Sequence, residues 1–286
     1  MFLIFLTILT LGLNSCGFFE SHKEKSPNAD TRLETLRERY QERKASYEEI
    51  TLGTQGWPSI KDCDATLWAG EVCSAGVEVK IQNAEYQSGQ IHRRPAPACF
   101  LEGQPNGSAS TVSNDMILGY LACLWKTQDL HALQRLADYG EANDWQMGEP
   151  ADSDRVYLKP NQIGLIGRML SRLGDNRDYR KLQPAYFPVS KDYEKHLQVL
   201  GILLNGETSL ELNLDIDGVM LGRLEALAED DQDALMQAAY GRYTGDQSKA
   251  LDLLLADETP IPSYVRGADT YKLVYWLKAA SVVLNH

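Results

Sequence analysis

Apolar residues recur at three- and four-residue intervals through most of the chain after residue 113. This spacing is typical of helices that bury one face. It predicts helices at residues 114–125, 130–140, 160–174, 191–204, 230–243, 249–255 and 269–284. Ser113 is a residue type that caps helix N-termini, and Asp115 in the first turn interacts favourably with the helix dipole. Gly140 is typical of a helix C-terminus, and Pro160 of a first helical position.

The connections between these predicted helices are short. The turns at residues 125–130 and 242–247 occupy equivalent places in two helix pairs, and both resemble the turns of helical repeat folds and of α/α toroid enzymes. No fixed repeat length relates them, so a regular solenoid is not expected. The sequence therefore predicts a mainly α fold, an irregular array of antiparallel helix pairs that is α/α toroid-like or repeat-like.

Residues 31–50 carry many charges together with a narrow row of apolar side chains. The row consists of Leu33, Leu36, Tyr40, Tyr47 and Ile50. Its spacing is close to 3.5 residues, and Arg43 occupies the one position where another apolar side chain is expected. We predict a charged amphipathic helix that docks on the body of the protein. Pairing with another helix, as in self-association, is the alternative.

Residues 51–112 contain many glycines and prolines and predict a small loop and β-hairpin region. Apolar and polar residues alternate at 77–81, which is typical of a strand, so the hairpin is expected there. Residues 51–286 are predicted to form a single mainly helical domain.

The most specific motif lies in the first sixteen residues. An apolar run ends in Leu13, Asn14, Ser15 and Cys16, and this ending resembles the lipobox of bacterial lipoproteins. The run is shorter than the roughly 20 apolar residues of a transmembrane helix and suits a signal peptide. The resemblance implies that residues 1–15 are a signal peptide, that Cys16 carries fatty acyl chains such as palmitate, and that residues 16–30 are a lipidated tether. The chain departs from the family pattern because no Lys or Arg precedes the apolar run.

The lipoprotein resemblance also implies a location. It implies a bacterial membrane lipoprotein of the cell envelope, held on the membrane through its lipid anchor. Gly17 follows the cysteine, at the position where an Asp would resemble an inner-membrane retention signal. The absence of that Asp favours the outer membrane, with the body facing the periplasm or the cell surface. An envelope protein or an envelope glycan is the expected partner.

Charge and cysteine content narrow the possible partners. The chain has 40 acidic and 28 basic residues and a net charge of −12. An acidic chain without a basic cluster argues against nucleic acid binding.

Three disulfide connectivities remain open in an exported protein for the four cysteines Cys63, Cys73, Cys99 and Cys123. We expect Cys123 to be an inert thiol within a buried helix. Neither a metal site nor a cofactor is expected, because the sequence contains no Cys-x-x-Cys and its His residues are scattered.

The candidate site residues lie between residues 57 and 155. The segment at residues 110–116, with Gly119 and Trp125 after it, resembles the helix starts of α/α toroid glycosidases, in which acidic residues line a central cleft. That resemblance implies that Asp115 and either Asp62 or Asp64 act as catalytic carboxylates. The other candidates are ligand-binding residues: two aromatic residues that would stack on sugar rings and three arginines that would bind an acidic sugar. These are Trp68, Trp145, Arg93, Arg94 and Arg155.

Each of these residues also has a purely structural interpretation. Asp115 is explained by the helix dipole, and buried tryptophans are more often part of a core than of a sugar site. Because no catalytic motif is secure, the sequence favours an anchored binding or scaffold protein. An envelope glycan hydrolase or lyase is the alternative. A structural lipoprotein that self-associates through residues 31–50 is a third possibility.

Overall fold

The computed structural model describes residues 27–95, 111–148, 155–175, 177, 192–211, 218–229 and 232–285. This part of the chain is mainly helical, as the sequence predicted. Its α-helices are Pro27–Thr51 (α1), Ala65–Ser74 (α2), Asn114–Thr127 (α3), Leu130–Ala142 (α4), Pro160–Arg172 (α5), Asp192–Glu211 (α6), Gly218–Leu227 (α7), Ala234–Thr244 (α8), Ser248–Leu255 (α9) and Thr270–Leu284 (α10). Among the described residues, no helix has both the length and the apolar character needed to cross a bilayer.

Several helices begin where the sequence predicted. Ser113 is the N-cap residue of α3, and Pro160 is the first residue of α5. The side chain of Asp129 accepts a hydrogen bond from the amide N–H of Ala132 and so caps α4. These signals are local, because a capping side chain bonds only to the first turn of its own helix.

Two helices were not predicted, for different reasons. All ten residues of α2 are buried, so this helix has no polar face and its sequence shows no amphipathic period. Gly218 and Gly222 lower the helix propensity of α7, which is also short.

The predicted strand at residues 77–81 is wrong. The small hairpin lies further along the chain, where β1 (Glu85–Gln87) pairs antiparallel with β2 (Gln90–Ile91). Residues 77–80 are irregular, and Ile81–Ala84 forms a 3-10 helix. The alternation at 77–81 instead reflects one-sided burial: Val77, Val79 and Ile81 all enter the core.

Helix α1 docks on the body, against α9 and α10. Leu36, Tyr40 and Tyr47 are buried, and the hydroxyl of Tyr47 donates a hydrogen bond of 2.7 Å to the carbonyl oxygen of Gly56. The guanidinium of Arg43 lies 4.1 Å from the ring centre of Trp276 in a cation–π contact. Leu36, Tyr40 and Tyr47 are thus covered within the chain, as the docking prediction requires, whereas Ile50 at the end of the row is 59% exposed.

Helices α2 and α3 form the closest helix contact and run in the same direction. A Cβ added to Gly119 in α3 would lie 2.6 Å from the Cα of Leu67 in α2, so the backbones touch. Further along both helices, Cys73 and Cys123 form a disulfide with their Cα atoms 5.1 Å apart. The prediction that Cys123 is a free thiol is therefore wrong. Cys63 is also disulfide-bonded, and Cys99 lies outside the described residues.

Candidate functional site

An open cleft of about 440 Å³ lies at the N-terminal end of α3. It is lined by residues from three separate segments of the chain: Arg93, Ser113, Asn114, Asp115, Arg155, Val156 and Tyr157. Three of the predicted site residues, Arg93, Asp115 and Arg155, therefore meet in one place. The volume falls in the usual range for small-molecule pockets, about 300–1,000 Å³.

The segment that carries Arg93 bridges the starts of two helices. The Arg93 amide N–H donates to the carbonyl oxygen of Thr111 at 2.9 Å, just before α3. The Arg93 carbonyl oxygen accepts from the amide N–H of Thr66 in the first turn of α2, also at 2.9 Å. The Arg93 side chain is only 13% exposed. Backbone pairing on both sides therefore holds this arginine at the cleft.

The first turn of α3 forms the floor of the cleft. Ser113 has an extended backbone, and its side chain makes no capping hydrogen bond. Ser113 Oγ and Asn114 Oδ1 are buried, and neither has a hydrogen-bond partner among the residues that the structure describes. Buried polar atoms in native proteins usually have partners, so these two atoms are suited to contact a ligand or water. The partial positive charge of the helix N-terminus adds a preference for anionic groups.

The third wall of the cleft is an extended segment around residue 156. The Met147 amide N–H donates to the carbonyl oxygen of Val156 at 2.8 Å, and the Leu158 amide N–H donates to that of Trp145 at 3.0 Å. Side chains two residues apart on an extended chain point the same way, so Arg155 and Tyr157 share a face. Tyr157 is 46% exposed, and its hydroxyl donates to Gln146 Oε1 at 3.2 Å.

Asp64 lies beside the cleft as the N-cap residue of α2. Its carboxylate is 3.7 Å from a guanidinium nitrogen of Arg93. Partial burial raises the pKa of Asp64, and the negative charges of Asp115 and Asp62 raise it further. Arg93 and Arg266 oppose this rise without cancelling it. A carboxyl group with a raised pKa next to a second carboxyl group is an arrangement that can divide acid and base roles.

Asp62 supports this arrangement from outside the cleft. Its Oδ1 accepts a hydrogen bond of 2.8 Å from the backbone N–H of Asp64. Arg94 is also outside, where its guanidinium donates to the carbonyl oxygen of Lys61 at 2.5 Å. Both residues therefore hold the loop before α2 rather than face the cleft.

The two predicted aromatic platforms are not at the cleft. Trp68 is 1% exposed and stacks between the rings of Tyr271 and His196, with ring centres 4.8 and 5.4 Å away. A side chain enclosed in this way cannot stack on a ligand, so the prediction for Trp68 is wrong. Trp145 packs against Gly140 and the core and does not line the cleft.

Among the described residues, Tyr157 is the aromatic side chain that lines the cleft, and the sequence pattern did not predict it. The only available signal was weak: Val156 and Tyr157 are β-type residues between two loops.

Cys16, the predicted lipidation site, lies outside the described residues. No group of three or more His, Cys, Asp or Glu side chains within the described ranges is arranged to hold a metal ion.

No family profile, curated protein or solved structure matches this chain. The cleft must therefore be interpreted from its own residues. It combines two guanidinium groups, a helix N-terminus, one carboxylate on its wall and one exposed aromatic ring. Arg155 is exposed at the cleft and forms no ion pair with any residue in the described part of the chain.

Proposed function

We propose that the protein is a lipid-anchored binding protein of the bacterial cell envelope, and that its cleft binds an anionic ligand. The lipobox-like residues Leu13 to Cys16 support the anchor. The disulfide between Cys73 and Cys123 supports export, because disulfides persist in oxidising compartments such as the envelope. The outer membrane, facing the periplasm or the cell surface, is the proposed location.

One observation carries the proposed ligand class. Arg93 and Arg155 flank the N-terminus of α3 in a protein whose net charge is −12. The net negative charge of the chain disfavours anions in general. Two guanidinium groups beside a helix N-terminus create a local exception, because planar guanidinium groups bind carboxylates and phosphates in a bidentate manner.

The anchor is tested by metabolic labelling with an alkyne-tagged palmitate. The wild-type protein is expected to incorporate the label and to fractionate with membranes. The Cys16→Ser variant is expected to lose both properties, since its hydroxyl cannot be lipidated in the same way. Equal labelling of the two proteins, or no labelling of the wild type, would contradict the proposal.

The anionic ligand is tested by thermal unfolding with citrate, phosphate and sulfate. A ligand at about 100 times its Kd stabilises the folded state by about 2.7 kcal/mol, which raises the unfolding midpoint. The wild type is expected to respond to at least one anion, and Arg155→Gln to respond much less. Lys159→Gln is the matched control, because Lys159 is an exposed cation on the same segment but does not line the cleft. The same response from all three proteins would refute the assignment of the cleft.

A second candidate function is cleavage of an envelope glycan. The raised pKa of Asp64 beside Asp115 favours this candidate, because two neighbouring carboxyl groups in different environments can divide acid and base roles. Reducing-end release is measured on peptidoglycan and on anionic polysaccharides. Asp64→Asn and Asp115→Asn are each expected to lower the rate about 100-fold or more, while Asp257→Asn leaves it unchanged. Absence of release by the wild type eliminates this candidate.

A further inference from the structure

We propose that the ligand of the cleft is a sugar that carries a carboxylate group, such as a uronic acid unit of a polysaccharide. This inference rests on the proposed function, because it assigns a chemical class to the anionic ligand of the same site. Three features of the cleft, taken together, favour this class over a simple inorganic anion.

The first feature is the ring of Tyr157. It is 46% exposed on the wall of the cleft, and its hydroxyl donates a hydrogen bond of 3.2 Å to Gln146 Oε1. An exposed aromatic face offers an apolar surface to the C–H groups of a pyranose ring. Phosphate and sulfate have no apolar face and gain nothing from such a surface.

The second feature is the spacing between this ring and the nearest cation. Arg155 is two residues before Tyr157 on the extended segment, so the two side chains leave the backbone about 6.6 Å apart on one face. A pyranose ring stacked on Tyr157 would direct an exocyclic carboxylate toward Arg155. Arg93 and the first turn of α3 approach the same cleft from the other side. The carboxylate can thus be held by charge while the ring is held by stacking.

The third feature is a set of oxygen atoms that suits hydroxyl groups. Asp115 lines the cleft with a carboxylate, which accepts hydrogen bonds from hydroxyl groups and repels a simple anion. Ser113 Oγ and Asn114 Oδ1 are buried beside it without partners in the described structure. A ligand that has both an anionic group and several hydroxyl donors can contact the arginines and these oxygens at once. An inorganic anion can contact the arginines and the Ser113 hydroxyl, but it offers few donors to the Asn114 and Asp115 oxygens.

The test compares four probes by titration calorimetry on the full-length protein in detergent. They are a galacturonic acid trimer, the matching uncharged galactose trimer, citrate and phosphate. The variants are Tyr157→Leu and Arg155→Gln, with Leu52→Ala as a control on an exposed apolar residue outside the cleft. Circular dichroism and the unfolding midpoint of each variant without ligand establish that it is folded.

We expect the galacturonic acid trimer to bind at least 10-fold more tightly than any other probe. Tyr157→Leu should weaken the trimer at least 10-fold and leave citrate and phosphate unchanged, whereas Arg155→Gln should weaken all anionic probes. If phosphate or citrate binds as tightly as the trimer, or if Tyr157→Leu has no effect on the trimer, the sugar inference is overturned while the anionic cleft stands. If no anionic probe binds, both the inference and the proposed ligand class fail.

Discussion

Gly70 and Gly119 face each other where α2 crosses α3, and a Cβ on Gly70 would overlap the carbonyl group of Gly119. Because neither residue carries a Cβ, the helix backbones can come this close. Because the helices run in the same direction, the contact also brings their N-termini to one end. Asp64 and Asp115 are at those N-termini, and the charge of Asp115 acts on Asp64 there. The glycine pair therefore determines the spacing of the acidic groups at the cleft.

A methyl group at Gly119 should destabilise the fold. The added Cβ would lie 2.6 Å from the Cα of Leu67, so α2 and α3 must separate. We expect Gly119→Ala to lower the free energy of unfolding by about 1–3 kcal/mol, the usual cost of overpacking. Urea unfolding at pH 7 measures this change.

Gly201→Ala provides the matched control. Gly201 is within α6, and nothing lies within 4 Å of the position of an added Cβ. Alanine should raise the free energy of unfolding there by about 0.4–1 kcal/mol, because it reduces the entropy of the unfolded chain. Equal effects at positions 119 and 201 would contradict the close helix contact.

Loss of the disulfide between α2 and α3 should also destabilise the protein. Cys73 and Cys123 are 50 residues apart in the sequence, so their bond restricts a long segment of the unfolded chain. We expect Cys73→Ala combined with Cys123→Ala to lower the free energy of unfolding by about 2–4 kcal/mol. Urea unfolding under oxidising conditions gives the value. Unchanged stability of the double variant would show that the bond does not form in the folded protein.

Removal of the Asp115 charge should change the titration of Asp64. The negative charge of Asp115 is one of the causes that raise the pKa of Asp64. Asp115→Asn removes that charge, so the pKa of Asp64 should fall toward its ordinary value. NMR titration of the Asp64 carboxyl carbon measures the shift, and Asp257→Asn on a distant exposed loop is the control. A pKa that stays the same or rises in Asp115→Asn would mean that the two carboxyl groups do not interact.

Glu85 should contribute stability that depends on pH. Burial alone would raise its pKa, but hydrogen bonds from Arg135, Tyr120 and the amide of Gly89 outweigh burial and lower it. The folded-state pKa thus lies below the unfolded value of about 4.3. The ionised carboxylate therefore stabilises the fold above that value, and this contribution is lost as the pH falls through the folded-state pKa.

Glu85→Gln tests this pH dependence. Because Arg135 is 36% exposed and its ion pair is partly screened, we expect a loss of only about 1–2 kcal/mol at pH 7. The difference from the wild type should narrow as the pH falls below about 4. Urea unfolding between pH 3 and 7 measures this difference in the free energy of unfolding, with Glu78→Gln at an exposed position as the control. A difference that stays constant over this range would contradict the role assigned to the Glu85 carboxylate.

The sequence by itself determined where most helices after residue 113 begin, including those that start after Ser113, Asp129 and Lys159. Helix caps, first-turn prolines and apolar periodicity act within one or two turns, so they can be read without knowledge of the rest of the chain. The row of apolar residues in α1 was predictable for the same reason, and so was its docking on the body.

Only the tertiary structure decided which residues meet. The sequence suggested Arg93, Asp115 and Arg155 by residue type, but their common cleft depends on three segments that are distant in the chain. The tertiary structure also decided which aromatic residue lies at the cleft, because packing buries Trp68 and leaves Tyr157 exposed. Exposure, disulfide pairing and the proximity of charges depend on contacts between remote segments, and no local pattern of the chain encodes those contacts.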